Sequence, residues 1–419
     1  MKHRTRTTLA LASCVAVLAA CSTEDPNDSG GGGGDAAGDV QTGNGVTDDT
    51  ITVGILTDLS GPFAAGAQVQ LTTMQGYWDQ VNADGGICGR TVEVDAQDHG
   101  YDAQKAVTLY RSMSSDIVAL QQVLGSPTSA AVLPLAQEDG IYLGGHGWAS
   151  VALQYDVAQP PGTTYSIEAA NAVDYLMDEL GLAEGATIGH VYFVGDYGGD
   201  ALQGAQYAAE ERGVTIVPQE ITPRDTDLSA QASALEQADV DAVLLSAAPG
   251  QLASLASVLG SRGLNVPIIG NTPAFNPSLL EGPAGPALLQ NYYNVTSVAP
   301  YSLDEPGPQA AREMYEAAAP DAPRGWEVPL GYAQGELLAN ALQTACDEGD
   351  LTPEGVVTAM RTVSDLELEG LFPAPLDYTD PTQPPLRSVY VSKASADAAG
   401  GLEVLGTVEG PSATSYTFE

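Results

Sequence analysis

Short runs of branched apolar residues alternate along this chain with longer stretches in which apolar positions recur every three or four residues. Ile51 to Leu56 is a buried-strand pattern. Leu71, Met74, Trp78 and Val81 follow at helical spacing, and Gly85-Gly86 closes that helix. Thr91 to Val94 reads as a strand, and Ala106, Leu109, Tyr110 and Met113 mark a helix. Ile117 to Leu124 is a strand, Thr128 to Glu138 a helix and Ile141 to Leu143 a strand. A second series starts after the Pro160-Pro161-Gly162 loop. It expects helices over Ala169 to Leu180, Leu202 to Arg212, Leu228 to Gln237 and Leu252 to Leu259. Between and after them come strands at Ile188 to Val194, Val214 to Val217, Ala242 to Ser246 and Pro267 to Gly270. The alternation then loosens. Tyr292 to Val298 is extended, helices are expected at Gln309 to Ala318 and Leu330 to Cys346, and strands return at Leu386 to Val391 and Leu402 to Val408. This spacing predicts an α/β protein with parallel sheets, in two series of similar size plus a mixed C-terminal third. Sheets of that kind bind ligands in the crevice at the carboxyl ends of their strands.

The N-terminus departs from the pattern. Lys2, His3, Arg4 and Arg6 precede an apolar stretch from Leu9 to Leu18, and small residues follow. That is the order of a signal peptide, and the stretch is short of the roughly 20 apolar residues of a membrane span. Leu18-Ala19-Ala20-Cys21 resembles the lipobox of bacterial lipoproteins, in which the Cys becomes the new N-terminus and carries lipid. An ordinary secretory signal with a chance Cys is the alternative. Ser22 to Asp49 is polar and contains Gly30 to Gly34, so it reads as a flexible tether. The expected organisation is a lipoprotein signal peptide over 1–20, a lipidated tether over 21–49 and a folded body beyond. That body is held at the outer face of the cytoplasmic membrane or cell envelope.

Charge and cysteine content narrow the partners. The 419 residues include 54 Asp and Glu against 14 Lys and Arg, a net charge of −40. So acidic a surface repels nucleic acid, and otherwise reads as a device for solubility. Of the four Cys, Cys14 leaves with the signal and Cys21 takes lipid. Cys88 and Cys346 remain as an even pair in an oxidising compartment, and a disulfide between them is expected; two buried free thiols are the alternative. There is no GxSxG elbow, no HExxH, no P-loop and no GxGxxG after a strand. His146 alone of the His stands at a strand end, without metal-ligand neighbours, and reads as structural. Asp95, Asp98 and Asp102 read as a solvated acidic loop. No enzyme activity, cofactor or metal is expected.

The loops at the strand ends carry the candidate chemistry. Gly125-Ser126-Pro127-Thr128 follows the third strand. Ser126 suits an N-cap and Pro127 the first helical position, leaving N–H groups and a hydroxyl at a positive helix end for a carboxylate or carbonyl oxygen. The alternative is that Ser126 only caps its helix. In His146-Gly147-Trp148-Ala149-Ser150, Gly147 allows close backbone approach and Ser150 offers a hydroxyl, while Trp148 either walls a pocket or packs between elements. Asp196-Tyr197-Gly198-Gly199 and Asn271-Thr272-Pro273 hold like positions in the second series. Tyr197 either walls a pocket or closes a turn.

These residues, in order, resemble a family. The run from Ile51 to Pro62 is similar to the opening of the leucine/isoleucine/valine-binding proteins, solute receptors of ATP-driven importers. Asn82 to Ile87, Asp102 with Ala106, Ser126 followed by Ser129-Ala130, Glu138 to Ile141, Tyr197-Gly198 and Tyr332-Ala333 continue the likeness. The resemblance implies a type I periplasmic-binding-protein fold, two doubly wound lobes joined by a three-crossing hinge and closing on a ligand. Lobe one would be 50–166 plus 299–384, and lobe two 167–298 plus 385–419, so that Cys88 and Cys346 fall in the two segments of lobe one. It further implies a ligand-binding set of Ser126, Gly147, Trp148, Ala149, Ser150, Tyr197, Thr272 and Tyr332. Ser126 matches a carboxylate-holding hydroxyl, and Ala149, beside Ser150, stands where Thr is usual. Tyr197 and Tyr332 match aromatic positions near the cleft. Thr272 stands where an acid usually pairs the ligand's amino group, and Asn271 to Ala274 contain no acid. A buried ammonium without a carboxylate is costly. The implied ligand is an amino acid, amide or small organic acid with a neutral or apolar body. The implied protein is a monomeric, lipid-anchored receptor that delivers this small molecule to an ABC permease. A ligand sensor of the same fold and a secreted hydrolase are the alternatives, the latter without an identifiable nucleophile and base.

Overall fold

A computed structural model describes residues 40–418 except His146. The expected signal peptide, the lipidation site Cys21, the tether before residue 40 and the reading of His146 lie outside the described residues.

Strand Thr50–Thr57, whose side chains from Val53 onward are buried, is central to a four-stranded parallel sheet. Thr91–Asp98 lies on one side of it, and Ala119–Val123 and then Tyr142–Leu143 on the other. Helices Ala64–Ala83, Ala103–Met113 and Ser126–Asp139 connect these strands. A second sheet has seven strands in the order Leu402–Val408, Val389–Ala394, Tyr292–Thr296, Ile268–Gly270, Ala242–Ser246, Thr187–Phe193, Thr215–Ile221. The last five of that order are parallel, and Val389–Ala394 and Leu402–Val408 add antiparallel. Strand Thr215–Ile221 runs four residues past its expected end and through Pro218. It tolerates the proline because it is the edge of the sheet, where one side of the backbone needs no ladder partner.

The chain passes between the sheets three times: after Leu143, after Thr296 and before Val389. After the second passage, helix Glu327–Asp347 returns to pack on helix Ala64–Ala83 and strand Ala119–Val123, and helix Pro353–Arg361 packs on Tyr142–Leu143. The result is two doubly wound lobes with a three-crossing hinge, the type I periplasmic-binding-protein fold.

Two glycines let the helix pair approach closely. A Cβ at Gly331 would lie 2.9 Å from the Thr73 side chain, and one at Gly335 would lie 2.4 Å from the Tyr77 ring. Cys88 and Cys346 are joined in a disulfide with Cα atoms 6.0 Å apart across 258 residues. The bond ties the chain just after the first of these helices to the end of the second.

Residues 40–49, assigned to the tether by composition, belong to the body. Gln41–Thr42 pairs in parallel with Asp350–Leu351, and the Thr52 N–H donates to the Gly45 carbonyl at 2.7 Å. Gly45 has φ +72°, and a Cβ there would lie 2.3 Å from the Ile117 backbone. This docking runs through backbone groups, which leave no trace in hydropathy. Helix Pro353–Arg361, capped by Thr352, was not expected either.

Candidate functional site

A cavity of about 200 Å³ opens where strand ends of both sheets face each other. Its polar end is built from the third strand and the helix that follows. Side chains alternate along strand Ala119–Val123: Gln121 turns one way to accept from Trp78 Nε1 at 2.8 Å, and Gln122 turns the other way into the cavity. The Gln122 Oε1 is buried without a hydrogen-bond partner.

Gly125, with φ +96°, ends the turn, and Ser126 is the first helical residue rather than the cap. It makes no capping hydrogen bond; its Oγ is buried, unpartnered and in the cavity wall. The local backbone is held instead by Ser129, whose hydroxyl donates to the Val123 and Gly125 carbonyls at 2.7 Å each and accepts from the Gly147 N–H at 3.1 Å. A Cβ at Gly147 would lie 2.3 Å from the Ser126 nitrogen, so a glycine is needed for this approach. Gln334 completes the polar end, accepting from Gln70 Nε2 at 2.6 Å. Its own amide lies against Gly145, where a Cβ would be 2.3 Å from Nε2.

Aromatic rings form much of the remaining wall. Trp148 stacks on Tyr165 at 6.1 Å and 28°, and Tyr165 meets Tyr197 at 4.5 Å. The Tyr197 hydroxyl donates to Asn271 Oδ1 at 2.6 Å, which locks its ring in the wall. Phe63 and Tyr101 pack at 5.1 Å on the other side. Among the described residues lining the cavity none is Lys, Arg or His.

Thr272 lines the cavity but is already engaged from behind. Its N–H donates to Glu168 Oε2 at 3.2 Å and its hydroxyl to Glu168 Oε1. Glu168 does not line the cavity; it is fully buried, and burial pushes its carboxyl up to about 8 against the hydrogen bonds from Thr272 and Ser297. An acid therefore stands beside Thr272, contributed by helix Tyr165–Asp178 and turned away from the ligand space.

Of the eight residues singled out from the sequence, Ser126, Gly147, Trp148, Tyr197 and Thr272 line the cavity. Ala149, Ser150 and Tyr332 do not. Ser150 turns to Asp200, and Tyr332 meets Tyr77 edge-on at 5.2 Å. Gln70, Gln122, Trp326, Glu327 and Gln334 line it without having been anticipated. Their one sequence signal is a polar residue repeating along an apolar helix face, as Gln334 does seven residues after Glu327. Among the described residues no helix is long and apolar enough to cross a membrane.

Comparison with known proteins agrees with this architecture. Residues 50–400 match the family model described as periplasmic binding protein. A fatty acid ABC transporter substrate-binding protein from Thermomonospora curvata is 38% identical with a TM-score of 0.88, over 91% of this chain and 97% of that one. A branched-chain amino acid ABC transporter protein from Thermus thermophilus, with bound valine, has a TM-score of 0.78 at 18% identity, over 88% of this chain and 98% of that one. A Leu/Ile/Val-binding protein of Rhizobium johnstonii is 24% identical over 326 residues, 74% of this chain and 83% of its own length. The chain therefore belongs to the periplasmic binding protein family, the extracytoplasmic solute-binding receptors of ABC transporters.

Proposed function

We propose that this receptor binds a carboxylic acid with an extended apolar body, of the fatty acid kind, and delivers it to an ABC permease. The observation that carries the reading is the state of Thr272. At the place where an amino acid's ammonium would need a carboxylate, the acid among the described residues is Glu168, and its oxygens face Thr272 and Ser297 rather than the cavity. An α-amino acid would bury its ammonium beside its carboxylate with no counter-charge there. A fatty acid has no such group. Ser126 Oγ, a donor, and Gln122, an amide free to turn either end inward, suit a carboxyl head, and the aromatic walls suit its chain. The relative at 38% identity is named for fatty acid transport.

The proposed ligand-contacting set is Ser126, Gly147, Trp148, Tyr197 and Thr272 with Gln122. The two lobes are taken as 50–166 plus 299–384 and 167–298 plus 385–419. Lipid on Cys21 would hold the monomeric receptor near its permease, and Leu18 to Cys21 supports that anchoring. The test is mass spectrometry of ligand released from the purified protein, with calorimetry against octanoate, decanoate, leucine and valine. Recovery and binding of alkanoic acids is the expected result. Tight leucine or valine binding with no response to the acids would overturn it.

A further inference from the structure

Among the described residues Glu327 is the one carboxyl in the cavity wall, and neither the fold nor the head-group end explains it. It is 4% exposed. Two glycines clear space around its oxygens: a Cβ at Gly66 would lie 2.5 Å from Oε1, and one at Gly325 would lie 2.1 Å from Oε2. Among the described residues no side chain hydrogen-bonds these oxygens and no cation pairs with them; only its own backbone N–H supports the charge. A buried carboxyl left this way is costly unless something that enters the cavity completes it.

Its position says where on a ligand that completion falls. Glu327 and Gln334 lie on one face of helix Glu327–Asp347, seven residues apart, which is about 10 Å along the axis. Gln334 belongs to the head-group end, against Gly145, while Glu327 lies at Gly66, one helical turn before Gln70. An acid whose carboxyl meets Ser126 and Gln122 would reach Glu327 with its chain rather than with its head.

We infer that Glu327 is a second recognition point, and that the preferred ligand is a carboxylic acid bearing a hydroxyl on its apolar chain, some carbons away from the carboxyl. This rests on the carboxylic-acid reading above. Burial raises the Glu327 carboxyl to about 7, so near neutral pH it exists both as a donor and as an acceptor. A hydroxyl donates and accepts and so completes either form. A plain methylene completes neither, and would leave the carboxyl desolvated and unpaired.

The test is calorimetry on the intact, ligand-free receptor, comparing decanoate with its hydroxy derivatives from the middle carbon to the terminal one. At least one hydroxy acid is expected to bind about tenfold or more tightly than decanoate. Glu327→Leu should abolish that preference, and Glu327→Gln should keep part of it. If no hydroxy acid outbinds decanoate, or if the preference survives in Glu327→Leu, the inference is wrong and the carboxylic-acid reading stands. If no acid of either kind binds, both are wrong. The wild-type comparison needs no variant, so a folding defect in Glu327→Leu does not shield the idea.

Discussion

Asp200 holds Ser150 twice, accepting from its N–H at 3.1 Å and from its hydroxyl, and it holds Ser166 through the backbone N–H at 2.9 Å. Ser150 and Ser166 flank the first passage of the chain between the sheets, and Asp200 stands on helix Asp196–Arg212 of the second. One buried carboxyl therefore pins both ends of a hinge segment. Asp200→Ala is expected to cost about 1–3 kcal/mol of stability, because three donors lose their acceptor. Urea unfolding measures it, and a cost near zero would mean that packing alone holds the segment.

Ser126→Ala should behave in the opposite way. Its hydroxyl has no hydrogen-bond partner among the described residues, so the variant should be as stable as the parent or slightly more so. Ligand affinity should fall by about 1–3 kcal/mol if the hydroxyl holds the carboxyl head. Calorimetry set beside a thermal melt separates the two effects. Unchanged affinity would remove Ser126 from the site.

Stability should fall as pH rises through the neutral range. Burial raises Glu168 to about 8 and Glu327 to about 7, both above the ordinary carboxyl value of 4.5. A carboxyl raised on folding contributes most below its unfolded value of 4.5, and that contribution is lost progressively as pH climbs from there to the folded value. His190, lowered by burial to about 3 from an ordinary 6.5, acts in the opposite sense below about pH 6.5, where only the unfolded chain protonates it, and is neutral in both states above 6.5. The melting temperature should thus drop from about pH 4.5 to about pH 8, most plainly above 6.5 where His190 no longer titrates, and Glu168→Gln should shrink the drop. A flat profile in the parent would contradict the burial of these groups.

The disulfide closes a loop of 258 residues between Cys88 and Cys346. Chain entropy gives about 5 kcal/mol as an upper value for such a loop. Reduction should lower the melting temperature measurably. Alkylation of the unfolded, unreduced body should add no label at either cysteine, and two labels would refute the bond.

Much of the fold was legible because its signals are local. The buried run from Ile51 and the helical spacing of Leu71, Met74 and Trp78 depend only on which way successive side chains point. The docking of Gln41–Thr42 on Asp350–Leu351 was not legible, since backbone pairing at the sheet margin requires no apolar side chain. The loops after the strands were found for the same local reason, and Ser126, Gly147 and Tyr197 came with them. The partner of Ser150 was not legible because a hydroxyl at a strand end suits a ligand and a carboxylate equally well; the fold sets it against Asp200.

The sequence by itself determined the alternation of strands and helices, the presence of Cys88 and Cys346 in the folded body, and the absence of an acid from Asn271 to Ala274. Tertiary structure alone decided what those features do. Glu168 reaches Thr272 across 104 residues and is spent there, Ser126 loses its capping role and keeps a free hydroxyl, and Glu327 enters the cavity beside Gly66. Secondary structure follows from the direction of neighbouring side chains, which sequence order carries. The chemistry of a cleft follows from distances between residues far apart in the chain, and only packing sets those.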